Sequence, residues 1–173
     1  MKLYTGIVAA ILTLFSSTCL AQNLEAIVAA EEQVLQAWAA APLAFRQQMF
    51  VSEEPAAFGS YSARGDNSFK AGEPLLIYSE PVGYAWKDNG DGSYTIGFAM
   101  DLALKKADGN IIAGKEDFLR KEVVTWAKAR EFMLYTKVDI SGAPAGDYVV
   151  GIRVRDLGSD KYGVISLPFS IVE

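Results

Sequence analysis

Apolar residues along this chain fall into two regimes, one spaced for a helix and one for strands. Leu24, Ile27, Val28, Leu35 and Trp38 recur at three- and four-residue intervals, with Glu25, Glu31, Glu32, Gln33 and Gln36 mostly between them. That spacing predicts an amphipathic helix. Asn23 is its expected N-cap, and Glu25 in the first turn suits the positive end of the helix dipole. The alanine-rich stretch 37–41 adds intrinsic propensity. Pro42 either ends this helix or opens a short second one through Phe45. A stripe of this kind packs on its own domain or docks a partner, and the first is the expectation.

From about residue 49 the period becomes two. Tyr94, Ile96, Phe98, Met100, Leu102 and Leu104 alternate with Thr95, Gly97, Ala99, Asp101 and Ala103. Phe132 to Ile140, Tyr148 to Val154 and Ile165 to Ile171 repeat the pattern, and Leu75 to Tyr78 reads as a strand buried on both faces. Turn residues punctuate these runs at 88–92, 108–110, 141–146 and 158–160. Half-buried alternation with short connections predicts antiparallel pairing. The segment 116–130 mixes apolar and charged residues and reads as a charged edge strand near Glu122 to Trp126, with a short crossing helix as the alternative. The expected architecture is mainly β, an antiparallel two-sheet immunoglobulin-like β-sandwich of seven or eight strands preceded by the N-terminal amphipathic helix.

Residues 1–21 carry the three parts of a secretory signal: Lys2, the apolar run from Gly6 to Phe15, and a small-residue exit with cleavage expected after Ala21. The apolar run is too short to span a bilayer, so no stable membrane anchor is expected. Cys19 offers a lipoprotein alternative, but Ser16-Ser17-Thr18 lacks the residues such signals favour. The organisation is then a signal peptide over 1–21, a helical segment over 22–48 and a β-sandwich domain over 49–173. Of 16 basic residues Lys2 lies in the leader, against 21 acidic ones. That balance argues against nucleic acid and anionic membrane surfaces as partners.

The chain has no histidine, and its single cysteine lies in the leader. Ser-His and Cys-His nucleophile systems are therefore absent, as are zinc sites built on imidazole or thiolate. No cofactor, metal site or catalytic residue is expected. The loop 87–93 superficially matches a calcium loop, yet Lys87 stands where the first carboxylate belongs and Phe98 where a bidentate Glu is needed. It reads as a tight hairpin. Arg64-Gly65-Asp66 matches a tripeptide read by integrins, too short to carry weight.

The densest aromatic stretch is 78–87. Tyr84 and Trp86 are expected to share one strand face, and Tyr78 to share another with Glu80. Flat rings beside a carboxylate can bind sugar rings, so Tyr78, Glu80, Tyr84 and Trp86 are the candidate ligand-binding residues. The competing expectation is that Trp86 fills the core. Glu73 and Glu80 are the only acids set beside aromatics on expected strands, as a glycoside hydrolase would require.

From about Trp38 to Glu173 the chain resembles a group of uncharacterised small exported β-sandwich proteins of proteobacteria. The likeness rests on Ala71-Gly72-Glu73-Pro74, the run Tyr78 to Trp86, Gly146-Asp147-Tyr148 and Leu167-Pro168-Phe169-Ser170-Ile171. It implies a β-sandwich and a periplasmic address, and it transfers no chemistry. The expected function is a periplasmic or secreted, non-enzymatic binding domain for an envelope glycan or another exported protein. A carboxylate-based carbohydrate-active enzyme and a structural accessory subunit are the alternatives.

Overall fold

A computed structural model describes residues 18–173. The expected signal peptide falls mostly outside them. The first element, α1, runs Thr18–Ala40. Asn23 therefore lies inside the helix and does not cap it, because the Leu, Ala and Gln residues before it are themselves good helix formers. The chain divides into two compact units at Gln36 and Ala37. In the first, Leu24, Ile27, Val28 and Val34 are exposed; Trp38, in the second, is buried. No helix among the described residues is long and apolar enough to cross a membrane.

No second helix follows Pro42. The chain enters β1 (Ala44–Phe50), followed by β2 (Ser68–Lys70), β3 (Leu75–Val82), β4 (Lys87–Asp88) and β5 (Tyr94–Lys106). Then come β6 (Ile111–Thr125), β7 (Leu134–Val138), β8 (Gly146–Asp156) and β9 (Tyr162–Val172). One sheet has the order β1-β3-β7; the other runs β2-β9-β8-β5-β4, with β6 also paired to β5. Every pair is antiparallel except β2 with β9, which is parallel. That exception corrects the all-antiparallel expectation. Three residues need no crossover of their own, because the loop before Ser68 delivers them alongside the last strand.

The segment 111–125 is strand, not helix. It is longer than its apolar pattern suggests because most of it is exposed, with little hydrophobic signal to mark it. The ladder with β5 shifts register between Met100 and Leu102, opposite Asp117, the one non-glycine residue with positive φ (46°) among those described. Arg155 holds the irregularity, bonding Asp101 at 3.0 and 3.1 Å and also Asp117. Bulge and charge together keep this outer strand from recruiting another.

A single core takes Leu75 and Ile77 from one sheet and Ile96, Phe98, Met100, Val150, Ile152, Val154 and Ile165 from the other. At the start of β8 the Tyr148 hydroxyl donates to the Pro144 carbonyl at 2.8 Å, closing the preceding turn with a buried ring.

Candidate functional site

The four aromatic-stretch candidates do not form one surface. The chain leaves β3 at Val82, and residues 83–86 are a connection between the two sheets. The shared strand face expected of Tyr84 and Trp86 thus does not exist. Gly83 makes the turn with φ +79°, and a Cβ there would meet the Pro42 carbonyl oxygen at 2.3 Å. Only glycine fits so close an approach in that conformation.

Tyr84 is fully buried and Trp86 is half-buried. Both donate to the Ala129 carbonyl, at 2.9 and 2.7 Å. Trp38 completes the group, with its ring 5.5 Å from Trp86 in a stacked arrangement and 5.0 Å from Tyr84 edge-on. The Trp38 Nε1–H donates to the Tyr84 carbonyl at 2.8 Å. Burial pushes the Tyr84 phenol well above its ordinary value. Lys161 reaches the same junction, its Nζ donating to the Ala39 and Gly83 carbonyls at 2.7 and 2.8 Å. Asp156 accepts from the Ala85 amide at 2.8 Å. Each polar atom here is engaged within the fold.

Tyr78 and Glu80 lie apart, on the opposite face of β3 from the core residues Leu75 and Ile77. Both are buried. The Tyr78 hydroxyl donates to Glu80 Oε1 at 2.7 Å and accepts from the Gly59 amide at 2.8 Å. The Tyr61 ring lies 4.4 Å from the Tyr78 ring. Burial, with Glu80 adding to it against the Gly59 bond, pushes the Tyr78 phenol up to about 12.

The loop carrying Gly59 and Tyr61 borders a surface depression of about 330 Å³ lined by Glu53, Glu54, Ala56, Ser60, Tyr61 and Ser62. Glu54 also lines a neighbouring cavity of about 120 Å³ with Met100, Leu119, Lys121, Met133 and Tyr135. Tyr61 and Tyr135 are half-buried. Burial, then the Glu54 carboxylate, raises the Tyr135 phenol. Among the described residues no buried side-chain polar atom lacks a partner, and neither these hydroxyls nor Glu54 makes a hydrogen bond within the fold. They are available to a ligand. Sequence reasoning passed over this set because residues 52–62 have no period, and Tyr135 reads only as one residue of an alternating strand.

The remaining motifs act locally. Asp88 and Asp91 accept from the Gly90 and Ser93 amides, at 2.8 and 2.9 Å, inside the 88–93 turn. The Arg64 guanidinium binds Glu73 at 2.6 Å, the Ser68 carbonyl at 2.6 Å and Asp66 at 3.3 Å, over the Phe69 ring. Glu73 is held below the usual carboxylate range by the Lys70 amide and, against some desolvation, by Arg64. No family model matches the chain, and no curated protein shows detectable sequence similarity to it.

Proposed function

We propose that this chain is an exported, periplasmic, non-enzymatic binding domain whose ligand site is the groove around Glu54, and that its ligand is a polyhydroxylated glycan chain. The observation that carries the reading is the placing of half-buried Tyr61 and Tyr135, with unengaged hydroxyls, beside the unengaged Glu54 carboxylate in adjoining concavities, where Glu53 is already bonded by the Ser62 hydroxyl at 2.5 Å. An aromatic face packs on sugar C–H groups at low entropic cost, while the Glu54 carboxylate accepts and the tyrosine hydroxyls donate directionally. Catalysis by Glu73 fits less well. A general acid needs a raised pKa, and Glu73 is lowered. Glu80 is buried against Tyr78.

We read the fold as an immunoglobulin-like sandwich. Strands β1-β3-β7 stand as A-B-E and β9-β8-β5-β6 as G-F-C-C′, and the Tyr148 to Pro144 bond at the start of β8 has the form of a tyrosine corner.

A glycan array with the purified domain tests the function. Binding weakened about tenfold or more by Tyr61→Ala and by Glu54→Gln is expected. Absence of any glycan ligand, or binding indifferent to both changes, overturns it. A second reading, an accessory subunit, is favoured by Trp126 and Val124, which are 78% and 61% exposed where β6 ends. A complex with a defined envelope protein that is lost in Trp126→Ser and kept in Tyr61→Ala would establish that reading instead.

A further inference from the structure

We propose that Tyr78 and Glu80 form a buried positioning pair that fixes the segment Ser52 to Ser62 and thereby shapes the groove; the inference rests on the groove being the binding site. The base of the segment is closed by backbone bonds, Ser52 N–H to the Ser62 carbonyl at 2.9 Å and Arg64 N–H to the Phe50 carbonyl at 3.0 Å. Its tip turns on Ala56 N–H to Ser60 O at 3.2 Å and Ser60 N–H to Ala57 O at 3.0 Å. Among the described residues, one hydrogen bond joins that tip to a strand: Gly59 N–H to the Tyr78 hydroxyl.

A phenol has one proton and can point it either way. Glu80, 5% exposed and acceptor-only as a carboxylate, draws that proton to Oε1 and leaves the oxygen's lone pairs for Gly59. The order of control therefore runs from Glu80 to Tyr78 to Gly59. Ser60, Tyr61 and Ser62 follow directly, and all three line the groove. The Tyr61 ring resting on Tyr78 ties the aromatic platform to the same residue. A buried carboxylate is costly unless bonded, which makes this pair more than packing for the outer face of β3.

Residue-resolved amide exchange tests the pair without any ligand. In Tyr78→Phe, Gly59 exchange should accelerate about tenfold, the loss of one hydrogen bond, while β5 and β8 amides keep their relative protection. Tyr78→Phe with Glu80→Gln removes the same bond without leaving a buried carboxylate unpaired, and should give the same result if the single variant folds poorly. Unchanged Gly59 exchange, or acceleration only in step with β5 and β8, overturns the proposal.

Binding of soluble peptidoglycan glycan strands separates the two readings. Weaker binding in Tyr78→Phe alongside loss in Tyr61→Ala supports the positioning role. Loss in Tyr61→Ala with wild-type binding in Tyr78→Phe overturns it. If neither variant alters binding while Gly59 exchange accelerates, the groove reading falls and the control of the segment stands.

Discussion

Gly83 and Gly90 provide a matched test of how tightly the sheets and the end of α1 are joined. Both have positive φ, +79° and +82°. A Cβ at Gly90 would meet nothing within 4 Å, whereas one at Gly83 would lie 2.3 Å from the Pro42 carbonyl oxygen and 3.1 Å from its carbon. Gly90→Ala should therefore cost only the left-handed conformation, about 1–2 kcal/mol. Gly83→Ala carries that cost and must also displace backbone in a close-packed junction held by Lys161 and Trp38. Overpacking of this kind adds about 1–3 kcal/mol, for a total near 2–5 kcal/mol. Urea denaturation followed by far-UV dichroism should show the Gly83→Ala midpoint well below that of Gly90→Ala, with equal slopes. Equal midpoints would overturn this expectation, because the approach to Pro42 would then carry no energy.

Trp38→Ala should cost about 3–5 kcal/mol, as for other large buried rings, with Trp86 emission shifting red as its stacking partner goes. Trp126→Ser should leave stability within about 0.5 kcal/mol, since Trp126 is 78% exposed. Acid should destabilise the fold in a defined window. Glu73 and Asp101 are held below their ordinary values of 4.5 and 3.8 by hydrogen bonds and by Arg64 and Arg155. The unfolded chain thus takes up protons first, so their stabilisation is present above about pH 4.5 and lost as pH falls through the lowered values. Both groups are partly open to solvent, so each contribution is small. The urea midpoint should drop between about pH 5 and pH 3, and Arg64→Gln with Arg155→Gln should flatten that decline. A wild-type midpoint constant over that range would contradict it.

The legible parts of this fold are the strands with one wet face. In β7, β8 and β9 side chains alternate between core and more open positions, and hydrophobicity reports that directly; β5 is buried on both faces over 96–100 and shows its period only through the size of its residues, large on one face and small on the other. β1 escapes because it is an edge strand with a register shift between Phe45 and Gln48 and little buried surface. β2 has three residues, too few for any period. The aromatic stretch 78–87 was conspicuous, but its division was not. Period-two reasoning carries on through residue 83, whereas a glycine at φ +79° ends the strand there. The partners that decide each ring's fate, Trp38 for Trp86 and Gly59 for Tyr78, come from distant segments and leave no local trace. The groove residues come from an aperiodic loop and from strands β5, β6 and β7, and only the fold brings them together.

The clasp made by Lys161 has a bearing on the order of events as the chain is made. Its ammonium joins carbonyls at residues 39 and 83, so bonds of sequence separation 122 and 78 close on one side chain in the turn between β8 and β9. Contacts of such range form late, because a long loop must be ordered before they reward it. On the ribosome the tryptophan pair can gather before the chain is finished, but its clasp cannot close until the turn into β9 has emerged. A chain truncated before residue 161 therefore lacks a fastener for an otherwise complete aromatic junction. Emergence of the β8–β9 hairpin is what lets this junction close.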